Sequence, residues 1–158
     1  MEFVSSRESG VPHALADTTA VLQILVNLLL NAGDAVRQAR SEGQSAGRVE
    51  IRVGPGPKGV ACHVSDDGTG IPEEVQERIF DPFFTTKPAG EGTGLGLANA
   101  ARLAEELGGS LRCGTPEGGW RTVFTLQLPA VSGPGQDRVA STQTLAAPAG
   151  DPSRGSDA

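Results

Sequence analysis

Asn27 and Asn31 stand one helical turn apart, and two glycine-rich runs follow them: Asp66-Asp67-Gly68-Thr69-Gly70 and Gly92-Thr93-Gly94-Leu95-Gly96-Leu97. A carboxylate in a glycine-broken turn can accept the exocyclic amine of a purine, because glycine lets the backbone bend and approach a flat ring with no Cβ in the way. Asparagine offers a neutral carbonyl oxygen to a hard cation and amide N–H groups to phosphate oxygens. A glycine-rich segment that opens a helix exposes N–H groups at the positive end of the helix dipole, where an anion is stabilised. Together the three suit a purine nucleotide with metal-bound phosphates, and they do not suit a packed core.

Each signal alone is weak. At about 100° per residue, Asn27, Asn31 and Asp34 fall in a narrow arc that Gln23 extends, while Leu22, Leu25, Val26, Leu29 and Val36 occupy the other, apolar side. A solvent-facing polar stripe is the plain alternative, although Lys and Glu form helices better than Asn does. The run Asp66 to Ile71 also fits an ordinary surface turn. It does not fit a calcium loop, whose third and fifth positions would be Gly68 and Gly70, and Ile71 stands where that loop requires glycine. The segment Lys87 to Leu97 is not a P-loop, since no Lys-Ser/Thr follows its glycines. It is a poor dinucleotide fingerprint, since a loop precedes it. A flexible linker competes with the phosphate reading, but linkers rarely open an amphipathic helix such as Leu97, Ala101, Ala104 and Leu107 define. Between the two runs, Ile79 to Lys87 gathers three of the chain's five phenylalanines. That loop reads as a satellite core, a lid hinge or a surface that docks a partner domain, with Lys87 able to reach a phosphate.

These residues need a scaffold. Residues 1–16 predict one or two short strands around a turn at Gly10 and Pro12. Asp17 predicts a helix N-cap, accepting free N–H groups of the first turn, and the helix runs to about Arg40. Val49–Val53 and Gly59–Ser65 predict strands joined by Gly54-Pro55-Gly56-Pro57. Pro72–Ile79 predicts a short helix with Pro72 at its tolerated first position, and Phe80–Gly92 a loop. Leu95–Leu107 predicts a helix stopped by Gly108-Gly109. Ser110–Cys113 and Trp120–Leu128 predict a closing hairpin around Pro116-Glu117-Gly118-Gly119. The expected fold is an α/β (α+β) sandwich, a mixed and mostly antiparallel sheet packed on one face by helices. The expected organisation is one domain over 1–129 and a disordered C-terminal tail or linker over 130–158, where Gly, Pro, Ser, Ala and Thr follow no period.

Composition bounds the rest. At 158 residues the chain is one domain with room for a core. A net charge of −6 argues against nucleic acid or an anionic membrane as the main partner. Cys62 and Cys113 lack metal-ligand spacing and read as reduced, buried residues of a cytoplasmic protein. No apolar run is expected to reach the ~20 residues of a membrane span, and no signal-peptide core is visible. The piece is expected to be soluble, with any membrane anchor elsewhere in a longer parent.

Taken in order, four segments resemble the N, G1, F and G2 boxes of sensor histidine kinases. They are Asn27-Leu28-Leu29-Leu30-Asn31-Ala32, Asp66-Asp67-Gly68-Thr69-Gly70-Ile71, Phe80-Asp81-Pro82-Phe83-Phe84-Thr85-Thr86-Lys87 and Gly92-Thr93-Gly94-Leu95-Gly96-Leu97. The likeness spans roughly residues 15–129. It implies the Bergerat fold shared with gyrase, Hsp90 and MutL ATPases, ATP with Mg2+, and phosphorylation of a histidine on a separate dimerisation domain of the same parent, with a response regulator downstream. By position, Asn31 resembles the Mg2+-coordinating asparagine, Asn27 the other asparagine of the nucleotide site, and Asp66 the adenine-binding aspartate. Gly68, Gly70 and Ile71 would shape the adenine pocket. Gly92, Thr93, Gly94, Leu95, Gly96 and Leu97 would border the triphosphate, and Lys87 would contact a phosphate.

Two departures stand out. Neither His13 nor His63 has the family's acceptor setting, so the chain resembles a catalytic half without its substrate, and a monomer is expected because the dimerising helices are missing. Asp34 stands where some members carry a basic residue. Two other classes remain open: a stand-alone serine kinase of the anti-sigma type, against which the Phe-Asp-Pro-Phe-Phe segment speaks, and a nucleotide-gated binding module. Efficient hydrolysis of the gyrase type is not expected, since Asn27 occupies the position of that class's general base and cannot take a proton.

Overall fold

A computed structural model describes residues 1–88, 92–114, 116 and 118–131. Most of the tail expected over 130–158 lies outside those residues, as do Glu117 of the expected turn and residues 89–91 of the expected loop.

The first helix, α1 (Thr18–Ser41), starts where its cap residue puts it: the Asp17 carboxylate accepts the Ala20 N–H at 2.8 Å. Ile24, Leu28, Ala32, Val36 and Ala39 are buried along one stripe, and their spacing is the helical period. Of the expected apolar side, Val36 lies in this stripe and Leu25 and Leu29 pack beside it, so the stripe is displaced only in part. Leu22 and Val26 are 56% and 52% exposed, as is Leu30 at 62%. Outside its polar arc the helix is apolar on several sides, so periodicity alone does not select the buried one. Contrary to expectation, α1 is long and apolar enough to cross a membrane by length and composition. Its buried stripe packs instead into the core of the domain.

Among the described residues, five strands form one sheet in the order β1-β2-β3-β5-β4: β1 (Glu2–Arg7), β2 (Arg48–Gly56), β3 (Gly59–Asp66), β4 (Ser110–Gly114) and β5 (Thr122–Pro129). Only β1 and β2 pair in parallel, and the other three pairings are antiparallel. The expected mixed, mostly antiparallel sheet is therefore present. Alternate residues Cys62 and Val64 of β3, and Phe124, Leu126 and Leu128 of β5, join Ile24 and Leu28 of α1 and Ala100 and Ala104 of the second helix, α2 (Gly96–Glu106), in one core. The intervening residues turn to the opposite face, where His63 and Thr125 are hydrogen-bonded at 3.0 Å. Cys62 and Cys113 are both free, Cys62 buried and Cys113 half-buried.

Three local expectations need correction. The strands β2 and β3 continue through Gly54, Pro55 and Gly56, with Gly56 opposite Gly59, so only Pro57 and Lys58 turn the chain. Pro55 is tolerated because β1 ends opposite Val53 and leaves that edge unpaired. The segment Pro72–Ile79 forms a single 3-10 turn, Glu73–Val75, because only Val75 and Ile79 offer apolar surface and a full helix would have little to bury. The phenylalanine loop divides: Phe80 packs edge-to-face on Phe124 at 6.3 Å, Phe84 also packs on the core, and Phe83 is 75% exposed.

Candidate functional site

Strand β3 delivers Asp66 to the helix-covered face of the sheet by the same alternation that buries Cys62 and Val64. Asp66 is 2% exposed. Its Oδ1 accepts the Gly68 N–H at 3.0 Å and the Thr122 hydroxyl at 3.2 Å, and the residue lines a cavity. Burial pushes its carboxyl up to about 6, against the two hydrogen bonds, which favour the charged form, and Asp67 adds a smaller upward push. Asp67, one residue on, has an unrelated task. It accepts the backbone N–H groups of Gly47 at 2.8 Å and Arg48 at 2.7 Å and pairs with the Arg48 side chain, which lies over Trp120. Partial burial raises the Asp67 carboxyl, but those hydrogen bonds and the Arg48 charge outweigh it and hold it below the usual range. Gly68 lets the turn meet α1: a Cβ there would lie 2.6 Å from the Ala35 carbonyl carbon.

The cavity has a volume of about 420 Å³, within the range of small-molecule sites. Helix α1 contributes Asn27, Asn31 and Asp34, the end of β3 contributes Asp66, and the turn after it contributes Gly70 and Ile71. The loop contributes Lys87, Gly92, Thr93 and Gly94, and α2 contributes Gly96 and Leu97. Thus the structure brings twelve of the fourteen expected site residues to one cavity. Gly68 and Leu95 do not line it. Gly68 packs on α1, and Leu95 caps α2 with its N–H directed to the Thr93 hydroxyl at 3.4 Å.

The N-terminus of α2 lies against Asn27: a Cβ on Gly96 would sit 3.8 Å from the Asn27 Oδ1. The preceding turn is clasped to the phenylalanine loop, with the Phe83 N–H donating to the Gly94 carbonyl at 3.0 Å. Gly94 has φ +66°, and a Cβ there would approach the Phe83 carbonyl carbon to 2.4 Å. Phe83 shares that left-handed conformation, which non-glycine residues rarely adopt. Lys87 reaches across the cavity and pairs with Asp34, whose other oxygen pairs with Arg37.

Sequence reasoning missed Thr122. It is buried, lines the cavity and supports Asp66 directly. Its only local signal is a hydroxyl at the head of the inward alternation Phe124, Leu126, Leu128.

A family profile described as histidine kinase-, DNA gyrase B-, and HSP90-like ATPase matches residues 16–132. Over 122 residues the chain is 39% identical to the sensor kinase CckA of Brucella abortus (strain 2308), covering 72% of this chain and 13% of that protein. The chain therefore corresponds to a small part of such a relative's length. The nucleotide-free catalytic domain of the histidine kinase ThkA superposes with a TM-score of 0.66 at 32% identity, covering 82% of this chain and 78% of that one. Full-length ShkA, solved in complex with AMPPNP, superposes with a TM-score of 0.62 at 31% identity, covering 84% of this chain and 27% of that one.

Proposed function

The chain belongs to the histidine kinase-, DNA gyrase B- and HSP90-like ATPases, and on that premise we propose that it is the ATP-binding catalytic domain of a sensor histidine kinase. In this reading it transfers the γ-phosphoryl of Mg-ATP to a histidine on the dimerisation domain of its parent, within a two-component system. A response regulator would then receive the phosphoryl group. The observation that carries the reading is the convergence of Asn27, Asn31, Asp66, Gly94 and Gly96 on one cavity. The AMPPNP bound by ShkA supports an adenine nucleotide as the ligand.

Asp66 accepts the adenine amine with the carboxylate oxygen left to the cavity, while Gly68 and Thr122 hold the other. Asn27, Asn31 and the N-terminus of α2 receive the phosphates. The donor set suits Mg2+, which binds few protein oxygens and is otherwise held by phosphates and water: Asn27 and Asn31 bring neutral amide oxygens to the cavity wall. Asn31 would hold the ion, which would neutralise charge on the phosphate oxygens. Catalysis by this chain is then positioning: an imidazole nitrogen from the partner domain attacks the γ-phosphorus in line, the bond to the β–γ bridging oxygen breaks, and ADP leaves. Asn27 cannot act as a base toward water, which favours transfer over hydrolysis. A soluble, cytoplasmic domain of an anchored or unanchored parent fits this role, and residues 1–129 would form that domain with 130–158 as its tail or linker.

The test mixes the domain with γ-labelled Mg-ATP and a histidine-bearing dimerisation domain from its parent. Acid-labile, base-stable label on that partner is the expected product. Binding of ATP with no such label would favour a nucleotide-gated binding module instead.

A further inference from the structure

The cavity holds one unusual electrostatic feature: among the described residues that line it, Lys87 is the sole cation, and it is already neutralised. Its ammonium pairs with Oδ2 of Asp34, while Oδ1 of Asp34 pairs with Arg37. The two side chains are 33% and 32% exposed, so the pair is partly shielded from water, and it ties α1 to the loop 53 residues away. The other polar side chains that α1 and the loop add to the lining, Asn27, Asn31, Gln38 and Thr93 among them, are uncharged.

We infer that Asp34 is a positioning residue that holds the Lys87 ammonium inside the cavity and yields it only to a polyphosphate. The inference rests on the nucleotide reading above. A neutral nucleoside has nothing to offer Lys87. A ligand with several negative charges outcompetes one carboxylate that already shares its charge with Arg37. After the exchange Asp34 remains beside the phosphates as a like charge, so it lowers affinity for polyphosphates while keeping Lys87 ready for them. The wild-type chain thus gives up some triphosphate affinity, and the position of Lys87 becomes coupled to whether phosphates are bound.

The test is a double-mutant cycle read by calorimetry, with Mg-ATP and adenosine titrated into the wild-type domain, Asp34→Asn, Lys87→Met and the double variant. Asp34→Asn is expected to tighten Mg-ATP binding about threefold to tenfold, with a gain at least roughly threefold smaller when Lys87 is absent. Adenosine binding should stay the same throughout. Unchanged melting curves would establish that the variants fold. The ε-ammonium NMR signal of Lys87 in the wild-type protein gives a second readout and should move with Mg-ATP but not with adenosine. An equal gain in both backgrounds, weaker binding by Asp34→Asn, or an unmoved ammonium signal would overturn the exchange while leaving the nucleotide reading intact. A wild-type domain that binds no Mg-ATP would overturn the nucleotide reading itself.

Discussion

Thr122 donates its hydroxyl to Oδ1 of Asp66 at 3.2 Å, across 56 residues of sequence, and so links the start of β5 to the end of β3 at the wall of the cavity. The Gly68 N–H takes the same oxygen. One side of the carboxylate is thereby fixed by the fold and the other is left for a ligand. A charge-assisted bond of this kind contributes about 1.5–3 kcal/mol. Thr122→Val keeps the shape of the side chain and removes the donor. We expect it to lower stability by about 1–2 kcal/mol near neutral pH, to raise the Asp66 carboxyl above its present value, and to weaken nucleotide binding. Denaturant unfolding and calorimetry on the variant measure both effects, and an unchanged affinity would remove Thr122 from the site.

Burial of Asp66 has a further consequence for pH. Its carboxyl titrates near 6 when folded and near 3.8 in the reference state, so the folded protein binds that proton more readily than the unfolded chain does. Its contribution therefore favours the fold most below about pH 4, weakens as pH rises toward about 6, and is flat above. Asp66→Asn cannot ionise, and should be more stable than the wild type near neutral pH by up to about 3 kcal/mol. The same substitution turns an acceptor into a donor opposite the adenine amine, so Mg-ATP affinity should fall roughly 30-fold or more. Melting temperatures across that pH range, set beside calorimetry, test both. A variant that loses stability near neutral pH would show that the carboxylate is not strained by burial.

Much of this architecture is legible in the chain because its signals are local. Asp17 caps the helix it precedes, and Asn27, Asn31 and Asp34 share an arc wherever that helix is placed. The alternation in β3 and β5 assigns Asp66 and Phe124 to the covered face. What escapes depends on partners distant in sequence. Thr122 gains its role only when β5 lies beside β3, and Gly68 is needed because Ala35 of α1 stands where its side chain would be. Leu22 and Val26 read as core because α1 is apolar on several sides, and only docking on the sheet selects Ile24 and Leu28.

The clasp between Gly94 and Phe83 should tolerate no side chain. Gly94→Ala forces an L-residue into the left-handed region, at roughly 1–2 kcal/mol, and drives its Cβ into the Phe83 backbone. The loop that carries Lys87 must then shift away from α2. We expect Mg-ATP affinity to fall about tenfold or more while the sheet and α1 stay folded, since local opening of a loop leaves core elements intact. Hydrogen exchange separates the two, with protection lost around Phe83 and Phe84 and retained in β3 and β5. Retained affinity would show that the clasp does not shape the phosphate end.

Asn31 tests the metal. If its amide oxygen helps to hold Mg2+ beside the phosphates, Asn31→Ala should remove most of the difference between ATP binding with Mg2+ and with excess chelator. In the wild type we expect that difference to be roughly tenfold. Asn27→Ala should weaken binding in both conditions alike if it contacts phosphate directly. An Mg2+ dependence preserved in Asn31→Ala would assign the ion to another ligand.

The displaced stripe on α1 can be tested by stability alone. Leu28 is fully buried among residues of β3, β5 and α2, so Leu28→Ala removes packed methyl groups and leaves a cavity that the close-packed core cannot fill. The expected loss is about 2–5 kcal/mol. Leu22 lies on the same helix with the same chemistry, but more than half of its surface already faces solvent. Leu22→Ala should therefore change stability by no more than about 0.5 kcal/mol, the more so because alanine is the better helix former. Urea unfolding of the two variants under one set of conditions gives the comparison directly. Equal losses would mean that Leu22 is covered in solution by something the isolated chain supplies, and the orientation of α1 on the sheet would need to be redrawn.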